Sequence, residues 1–157
     1  MISRYDELIV SLRNECLNKR VKYKNIIRTL NRFEYDEIIQ IIQIIQIIND
    51  ERIGDIIQDI IAERQDIARI ARDIYNKLTL LNELLEIFGE EPQPSLTKAR
   101  KLFKTKIFIN IYDLCYGIYN KRTTKELLRK DLRKNPERRF SLKLAKERGF
   151  KCFLIGI

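Results

Sequence analysis

A cluster of acidic side chains lies within residues 82–93, which read NELLEIFGEEPQ. Its members are Glu83, Glu86, Glu90 and Glu91. Glu83, Glu86 and Glu90 are spaced three and four residues apart, so they share one face for as long as the chain is helical. Gly89 predicts a helix end here, where the helix dipole disfavours each carboxylate by about 0.3–1 kcal/mol. The cluster therefore predicts a positive partner, either a divalent cation or arginines from elsewhere; a solvated acidic turn is the alternative.

The chain contains no histidine, and this limits the chemistry that it can perform. Serine triads, cysteine–histidine pairs and HExxH zinc sites are all excluded. Cys16, Cys115 and Cys152 are far apart and form no CxxC motif, which argues against a zinc site. Carboxylates, lysines and tyrosines are left as the groups that could hold a metal ion or activate water.

Charge is distributed unevenly along the 157 residues, whose formal net charge is +9. Residues 1–32 carry +5, residues 33–94 carry −9 and residues 95–157 carry +13. An acidic centre thus lies between two basic flanks. This segregation favours a polyanionic partner over a charge that serves solubility alone.

The basic C-terminal region predicts contacts to phosphate groups, which give salt-dependent and largely sequence-independent binding. Ten side chains are candidates for binding nucleic acid: Lys98, Arg100, Lys101, Lys104, Arg122, Arg129, Lys130, Arg133, Arg138 and Arg139. A solvated basic surface is the alternative. A helix-turn-helix around Asn135 and Pro136 is a second interpretation, although no Asn- or Gln-rich recognition pattern follows the turn.

Helices are predicted for the first part of the chain. Ser3 and Asp6 form a capping-box pattern that opens a helix over residues 4–18. Apolar residues then alternate four and three apart from Ile53 to Phe88, which predicts one long amphipathic helix. Its seam predicts packing within the chain or, alternatively, a homodimer through the long helix.

A change in pattern follows Pro92 and Pro94, which stop that helix before Ser95 caps the next one. Residues 106–115 alternate as a strand does. A helix capped by Thr123 or Thr124 and a short helix over residues 140–149 follow, and residues 150–157 predict a terminal strand. We therefore expect an α+β fold with a small mixed sheet, as one domain over residues 1–157 with a helical part (1–91) and a basic α/β part (95–157).

An isoleucine–glutamine repeat, IIQIIQIIQIIND, occupies residues 38–50. Three residues advance a helix by about 300°, so the glutamines wander around the axis and leave a narrow polar stripe. We predict a helix that is covered on most sides and packed under the long helix. The repeat is too short and too polar to cross a bilayer, and no signal peptide is apparent, so we expect a soluble, cytoplasmic protein.

The tripeptide GIY at residues 117–119 is similar to one half of the GIY-YIG nuclease motif. The second half should follow shortly afterwards, yet the nearest similar tripeptide is LIG at residues 154–156. We therefore interpret the match as accidental. A P-loop, a GxGxxG motif and a PD-(D/E)xK core are also missing from the sequence.

The chain as a whole resembles the small nucleases of the filamentous viruses of crenarchaea, the Acidianus filamentous viruses, which are lipothrixviruses of thermophilic hosts. The resemblance rests on the length, the IIQ repeat, the segment NELLEIFGEE and the basic tail. It implies a remotely nucleotidyltransferase-like α+β fold, cleavage of linear double-stranded DNA, an essential carboxylate at Glu86 and a location in the host cytoplasm. The nucleotidyltransferase GS…DxD signature is missing from this sequence, so no metal-binding pattern follows from the resemblance.

These considerations converge on a deoxyribonuclease in which Glu86 holds Mg²⁺ or acts as a base, while the basic tail holds the phosphates. Glu83 and Asp113, the latter at the end of the predicted strand, are candidates for a second metal ligand. A non-catalytic DNA-binding or packaging protein is the alternative function. An adaptor that binds another helical protein is a third, and it predicts no DNA binding even at low salt.

Overall fold

The computed structural model describes residues 3–32, 37–75, 77–142, 145 and 150–156. This part of the chain has an all-α fold. Its α-helices are α1 (Arg4–Lys19), α2 (Tyr23–Leu30), α3 (Glu37–Ile48), α4 (Glu51–Tyr75), α5 (Leu78–Ile87), α6 (Leu96–Lys106), α7 (Ile111–Cys115) and α8 (Lys125–Lys134). Short 3₁₀-helical turns lie at Tyr119–Lys121, Pro136–Arg138 and Lys151–Phe153. These residues contain no β-strand and only one isolated antiparallel bridge, between Phe108 and Thr123. The α+β prediction, with its small mixed sheet and nucleotidyltransferase-like topology, is therefore wrong.

The strand predicted over residues 106–115 gives way to the start of α7 at Asn110. Ile107, Ile109 and Ile111 are all buried, but Asn110 and Tyr112 are buried as well, so burial does not alternate here. The Asn110 side chain, however, accepts a hydrogen bond from the backbone N–H of Tyr112 at 2.8 Å and so caps the first turn of α7. Asparagine at this position offers the backbone a helical alternative to a sheet.

The terminal strand predicted over residues 150–157 is also wrong for the residues that the structure describes there. The Phe153 N–H donates to the Phe150 carbonyl at 2.9 Å, which closes a 3₁₀ turn. This turn places both rings in the same core, 6.3 Å apart between centroids. Burial of two aromatic rings three residues apart requires a turn, because a strand would send residues three apart to opposite faces.

The chain divides into two compact units, Met1–Asp66 and Ile67–Ile157. In the first unit, Ser3 Oγ accepts from the Asp6 N–H at 3.1 Å, as the sequence predicts, and α1 continues to Lys19. Arg20 then adopts a left-handed conformation (φ 56°) that ends the helix. The apolar faces of α1, α2 and the first part of α4 are buried, which gives this unit its core.

The first four positions of the predicted seam, all in the first unit, form an internal packing surface. Ile53, Ile57, Ile60 and Arg64 are all buried in the single chain. Arg64 belongs to the seam because its Nη1 donates to the Leu30 carbonyl at 2.6 Å, at the C-terminus of α2. A buried seam offers nothing to a second copy, so the structure gives no support for a homodimer through it.

The predicted long helix is also divided in two. Helix α4 ends at Tyr75 and α5 begins at Leu78, after an extended Lys77 (φ −111°, ψ 128°). The spacing of apolar residues survives the break, since Leu81 and Leu85 are buried in the core of the second unit. Apolar periodicity defines a face for each helix, but it does not require the helices to be continuous.

The IIQ repeat is helical as predicted, over Glu37–Ile48. Its coverage is less than predicted: Ile44 is buried, whereas Ile38, Ile39 and Ile42 are 73%, 53% and 49% exposed. Helix α3 packs against α2 within the first unit. No helix among the described residues is long and apolar enough to traverse a membrane.

In the second unit, α5 packs against α6, and α6 packs against the turn at Lys151–Phe153. The segment with Pro92 and Pro94, predicted as the boundary between two parts, is therefore a loop inside this unit. It is held by Asn82, whose side chain both donates to the Gln93 carbonyl and accepts from the Gln93 N–H. Phe103 and Phe153 anchor the core, with ring centroids 4.9 Å apart.

Candidate nucleic-acid interface

Helix α6 presents the most uniformly basic surface in the second unit. Ser95 Oγ accepts from the Lys98 N–H at 3.2 Å and fixes the start of the helix, as predicted. Ala99 and Phe103 are fully buried, which fixes the rotation of the helix about its axis. The opposite face is thereby turned to solvent.

That solvent face carries three lysines at regular spacing. Lys98, Lys101 and Lys104 are all exposed and lie three residues apart, which is about 4.5 Å along the axis per step. None of them forms an ion pair with another residue that the structure describes. The helix contains five basic residues and no acidic one. No carboxylate on α6 itself therefore competes with a phosphate for these ammonium groups.

Arg100 is half-buried and lies four residues before Lys104, at the flank of this lysine face. It lies close enough to Cys152 to influence its ionisation: burial raises the pKa of the thiol to about 11, and the arginine charge opposes that rise. The Arg100 side chain, which the sequence assigned to nucleic-acid binding, thus lies near the core of the unit and is only partly accessible to solvent.

Helix α8 forms a second, mixed surface. Thr124 Oγ1 accepts from the Leu127 N–H at 3.3 Å, which identifies Thr124 as the cap, and the helix ends before Pro136 as predicted. Leu128 is buried, while Lys130 and Arg133 are exposed together with Glu126. Acidic residues on this helix make it less uniformly basic than α6.

Arg122 serves a structural purpose at the ends of two helices. Its Nη1 donates to the Phe88 carbonyl at 2.7 Å and its Nη2 to the Lys106 carbonyl at 3.0 Å, so one guanidinium binds the C-termini of both α5 and α6. Nη2 also lies 3.3 Å from Glu90 Oε1, and the guanidinium stacks over the Phe88 ring. A cation is favoured at helix C-termini because the dipole is negative there. Arg122 is thus an arginine partner of Glu90, one of the four residues of the acidic cluster.

Three further arginines make internal hydrogen bonds. Arg129 Nε donates to the Gly156 carbonyl and Arg139 Nε to the Leu132 carbonyl, each at 2.8 Å. Arg138 Nη2 donates to Asp113 Oδ1 at 2.9 Å. Of the ten predicted contacts, the four lysines are exposed, whereas Arg122, Arg129, Arg138 and Arg139 have structural partners.

Two residues of the acidic cluster share a face of α5. Glu83 and Glu86 are both exposed on α5, three residues apart. The helix ends at Ile87, and Gly89 adopts the left-handed conformation (φ 78°) that the sequence predicts. Glu90 follows this turn and pairs with Arg122, so it leaves the face that Glu83 and Glu86 share.

Asp113 lies in the first turn of α7 and is buried. Its ion pair with Arg138 occupies the carboxylate that the sequence suggested as a metal ligand. Among the described residues, no three Asp, Glu, His or Cys side chains gather where they could hold a metal ion.

Two further sequence candidates are the GIY tripeptide and the helix-turn-helix around Asn135 and Pro136. In the GIY tripeptide, Gly117 adopts a left-handed turn (φ 71°) and Tyr119 packs edge-on against Phe88, with centroids 5.6 Å apart. The second helix of the suggested helix-turn-helix falls mainly on residues outside those that the structure describes.

Additional exposed cations were not singled out from the sequence. They are Lys106, Lys121, Lys125 and Lys134. Their signal was present in the same basic segments, but sequence spacing alone does not separate exposed lysines from arginines that donate to carbonyl groups.

Comparisons with known proteins give no relative: no protein-family model, no curated protein and no solved structure matches the chain. The resemblance to viral nucleases thus rests on the residues quoted for it. The viral source, the cytoplasmic location and the nuclease activity stay predictions.

Proposed function

We propose that the second unit binds the phosphate backbone of double-stranded DNA through the exposed face of α6. The observation that carries this proposal is the row formed by Lys98, Lys101 and Lys104, on a helix without any acidic residue. Lys130 on α8 and the other exposed lysines of the basic tail extend the positive surface.

The chemistry of the row favours binding without sequence preference. Lysine ammonium groups act as point charges, whereas bases are read by the planar, bidentate groups of Arg, Asn and Gln. Several arginines of the basic tail bind backbone carbonyls or Asp113 instead. Affinity should therefore come from the release of counterions and depend steeply on salt.

Hydrolysis of the bound DNA is the second candidate function. It is favoured by the exposure of Glu83 and Glu86 on α5, the helix that packs against α6. Mg²⁺ is commonly held by one or two carboxylates together with water and substrate phosphates, so two glutamates would be a sufficient protein contribution. In this proposal Glu86 binds the ion or takes a proton from the attacking water, and the lysines stabilise the charge that develops on the phosphate.

An assay of linear duplex DNA at low salt, with and without Mg²⁺, tests both candidates. We expect binding under both conditions. Loss of intact duplex only when Mg²⁺ is present would support hydrolysis. Tight binding with intact DNA in the presence of every divalent metal would exclude hydrolysis and leave the DNA-binding function. Failure to bind at low salt would contradict the proposal and favour the adaptor.

A further inference from the structure

A small cleft in the second unit lies between α8, the start of α7 and the residues that follow the last 3₁₀ turn. Its volume is about 50 Å³. Buried Ile109, Ile111, Leu128 and Phe153 contribute to its floor. The lining is thus mainly apolar at depth, and no part of the proposed DNA-binding face belongs to it.

The size of the cleft limits what it can hold. A water molecule needs about 10–15 Å³ of such volume, so the cleft corresponds to about four water-sized groups. An apolar cavity that accepts benzene is about 150 Å³. The enclosed part of the cleft therefore fits a branched aliphatic group of about four carbons better than a whole aromatic ring or nucleobase.

Positive charge lies at the rim. Arg138 and Arg139 both line the cleft, and Asp113 neutralises Arg138 through their 2.9 Å contact. Arg139 is held in place by the bond from its Nε to the Leu132 carbonyl. Within the described part of the chain no carboxylate pairs with Arg139, so its terminal nitrogens keep N–H groups for an anion.

We propose that this cleft binds a branched aliphatic carboxylate, with the alkyl group on the apolar floor and the carboxylate on the Arg139 guanidinium. A free branched-chain acid and the last residue of a peptide that ends in leucine share this chemistry. Arginine can bind a carboxylate through two parallel hydrogen bonds because its guanidinium group is planar. Such charge-assisted hydrogen bonds are stronger than hydrogen bonds between neutral groups.

Titrations monitored by NMR test the proposal with three probes: N-acetyl-leucine, N-acetyl-leucinamide and 4-methylpentanoate. We expect N-acetyl-leucine to shift the resonances of Leu128 and Arg139 in a saturable manner, and its amide to bind at least about tenfold more weakly. Equal affinity for acid and amide, or shifts that do not saturate, would overturn the proposal. Equal affinity for N-acetyl-leucine and 4-methylpentanoate would identify a free branched-chain acid as a sufficient ligand. Tighter binding of N-acetyl-leucine would identify the C-terminus of a peptide as the preferred ligand.

Two variants separate the alkyl and carboxylate contacts. Leu132→Phe adds volume at the cleft while keeping the backbone carbonyl that holds Arg139, and it should abolish binding of both acids. Arg139→Gln should reduce the affinity for the acids by about tenfold and leave the weak binding of the amide unchanged. Unchanged acid affinity in either variant, with a melting temperature close to that of the parent protein, would contradict the assignment.

Discussion

The Asp113 carboxylate and the Arg138 guanidinium form an ion pair, with Oδ1 and Nη2 2.9 Å apart and side chains only 10% and 15% exposed. The pair links the first turn of α7 to the 3₁₀ turn that follows α8. Asn110 strengthens this link because its Nδ2 donates to the Arg138 carbonyl at 2.9 Å. Two residues that the sequence assigned to different functions, a metal ligand and a phosphate contact, thus stabilise each other.

Asp113→Asn should destabilise the protein by about 3 kcal/mol, because removal of one partner leaves a largely buried guanidinium without its counter-charge. The free energy of unfolding measures this loss. The Arg138→Gln substitution should cost much less in the Asp113→Asn background than in the parent protein. Additive losses in this cycle would show that the two side chains do not interact energetically.

Arg122→Gln should lower the free energy of unfolding by about 2 kcal/mol, since hydrogen bonds from a charged donor to the Phe88 and Lys106 carbonyls are lost. It should leave the salt dependence of DNA binding unchanged. Lys101→Gln is the matched control, with the opposite expectation: a weaker salt dependence and a stability change within about 0.5 kcal/mol. A reduced salt dependence in Arg122→Gln would instead identify Arg122 as a phosphate contact.

Glu86→Ala should abolish any Mg²⁺-dependent cleavage of linear duplex DNA while DNA affinity stays within about twofold, because the side chain is exposed and contributes no packing. Cleavage is measured by the loss of full-length duplex. Asp59→Ala provides the control, as an exposed helical carboxylate in the first unit. Cleavage at the parental rate by Glu86→Ala would exclude this residue from catalysis.

Cys152 should make stability decline at alkaline pH. Burial raises the pKa of its thiol from 9.0 to about 11, although Arg100 opposes the rise. The folded state therefore holds the proton more tightly than the unfolded state, and this contribution is complete below pH 9 and lost as the pH rises to about 11. The difference in unfolding free energy between the parent and Cys152→Ala should shrink over this range. A constant difference from pH 8 to pH 11 would contradict the assignment.

Local capping explains why the helices were predictable. Ser3, Ser95 and Thr124 each accept a hydrogen bond from an N–H three residues later, and Gly89 adopts the left-handed conformation after α5. These interactions involve neighbours in the chain, so their signals can be read from the sequence. The two predicted strands were wrong because a strand needs a partner strand that lies far away in the sequence.

The strand predicted over residues 106–115 illustrates this limit. Ile107, Ile109 and Ile111 give the sequence the alternation of a strand, although Asn110 and Tyr112 are buried as well. A sheet also requires a second strand to pair with. Among the described residues that partner is reduced to a single bridge at Thr123. The capping potential of Asn110 was the local sign that the chain turns into α7.

The candidate site shows a comparable limit. Clustered charge correctly identified the exposed lysines of α6, because a helix with two fully buried positions must expose the opposite face. The sequence could not separate these lysines from Arg122, Arg129 and Arg139. Their carbonyl partners lie between 7 and 34 residues away and become neighbours only in the folded chain.

The salt dependence of DNA affinity tests the central claim most directly. The affinity for a linear duplex should be measured from low to moderate KCl for the parent protein and two charge-matched triple variants. One is Lys98→Gln, Lys101→Gln and Lys104→Gln on α6. The other is Lys24→Gln, Arg28→Gln and Arg32→Gln in the first unit, where all three residues are exposed.

The logarithm of the affinity should fall with the logarithm of the salt concentration, with a slope about 2–3 units shallower in the α6 variant, because each phosphate contact contributes about 0.9. The first-unit variant should retain the parental slope. Equal slopes in the two triple variants would contradict the proposal, because they would show that total charge, and not the lysine face of α6, determines the binding of DNA.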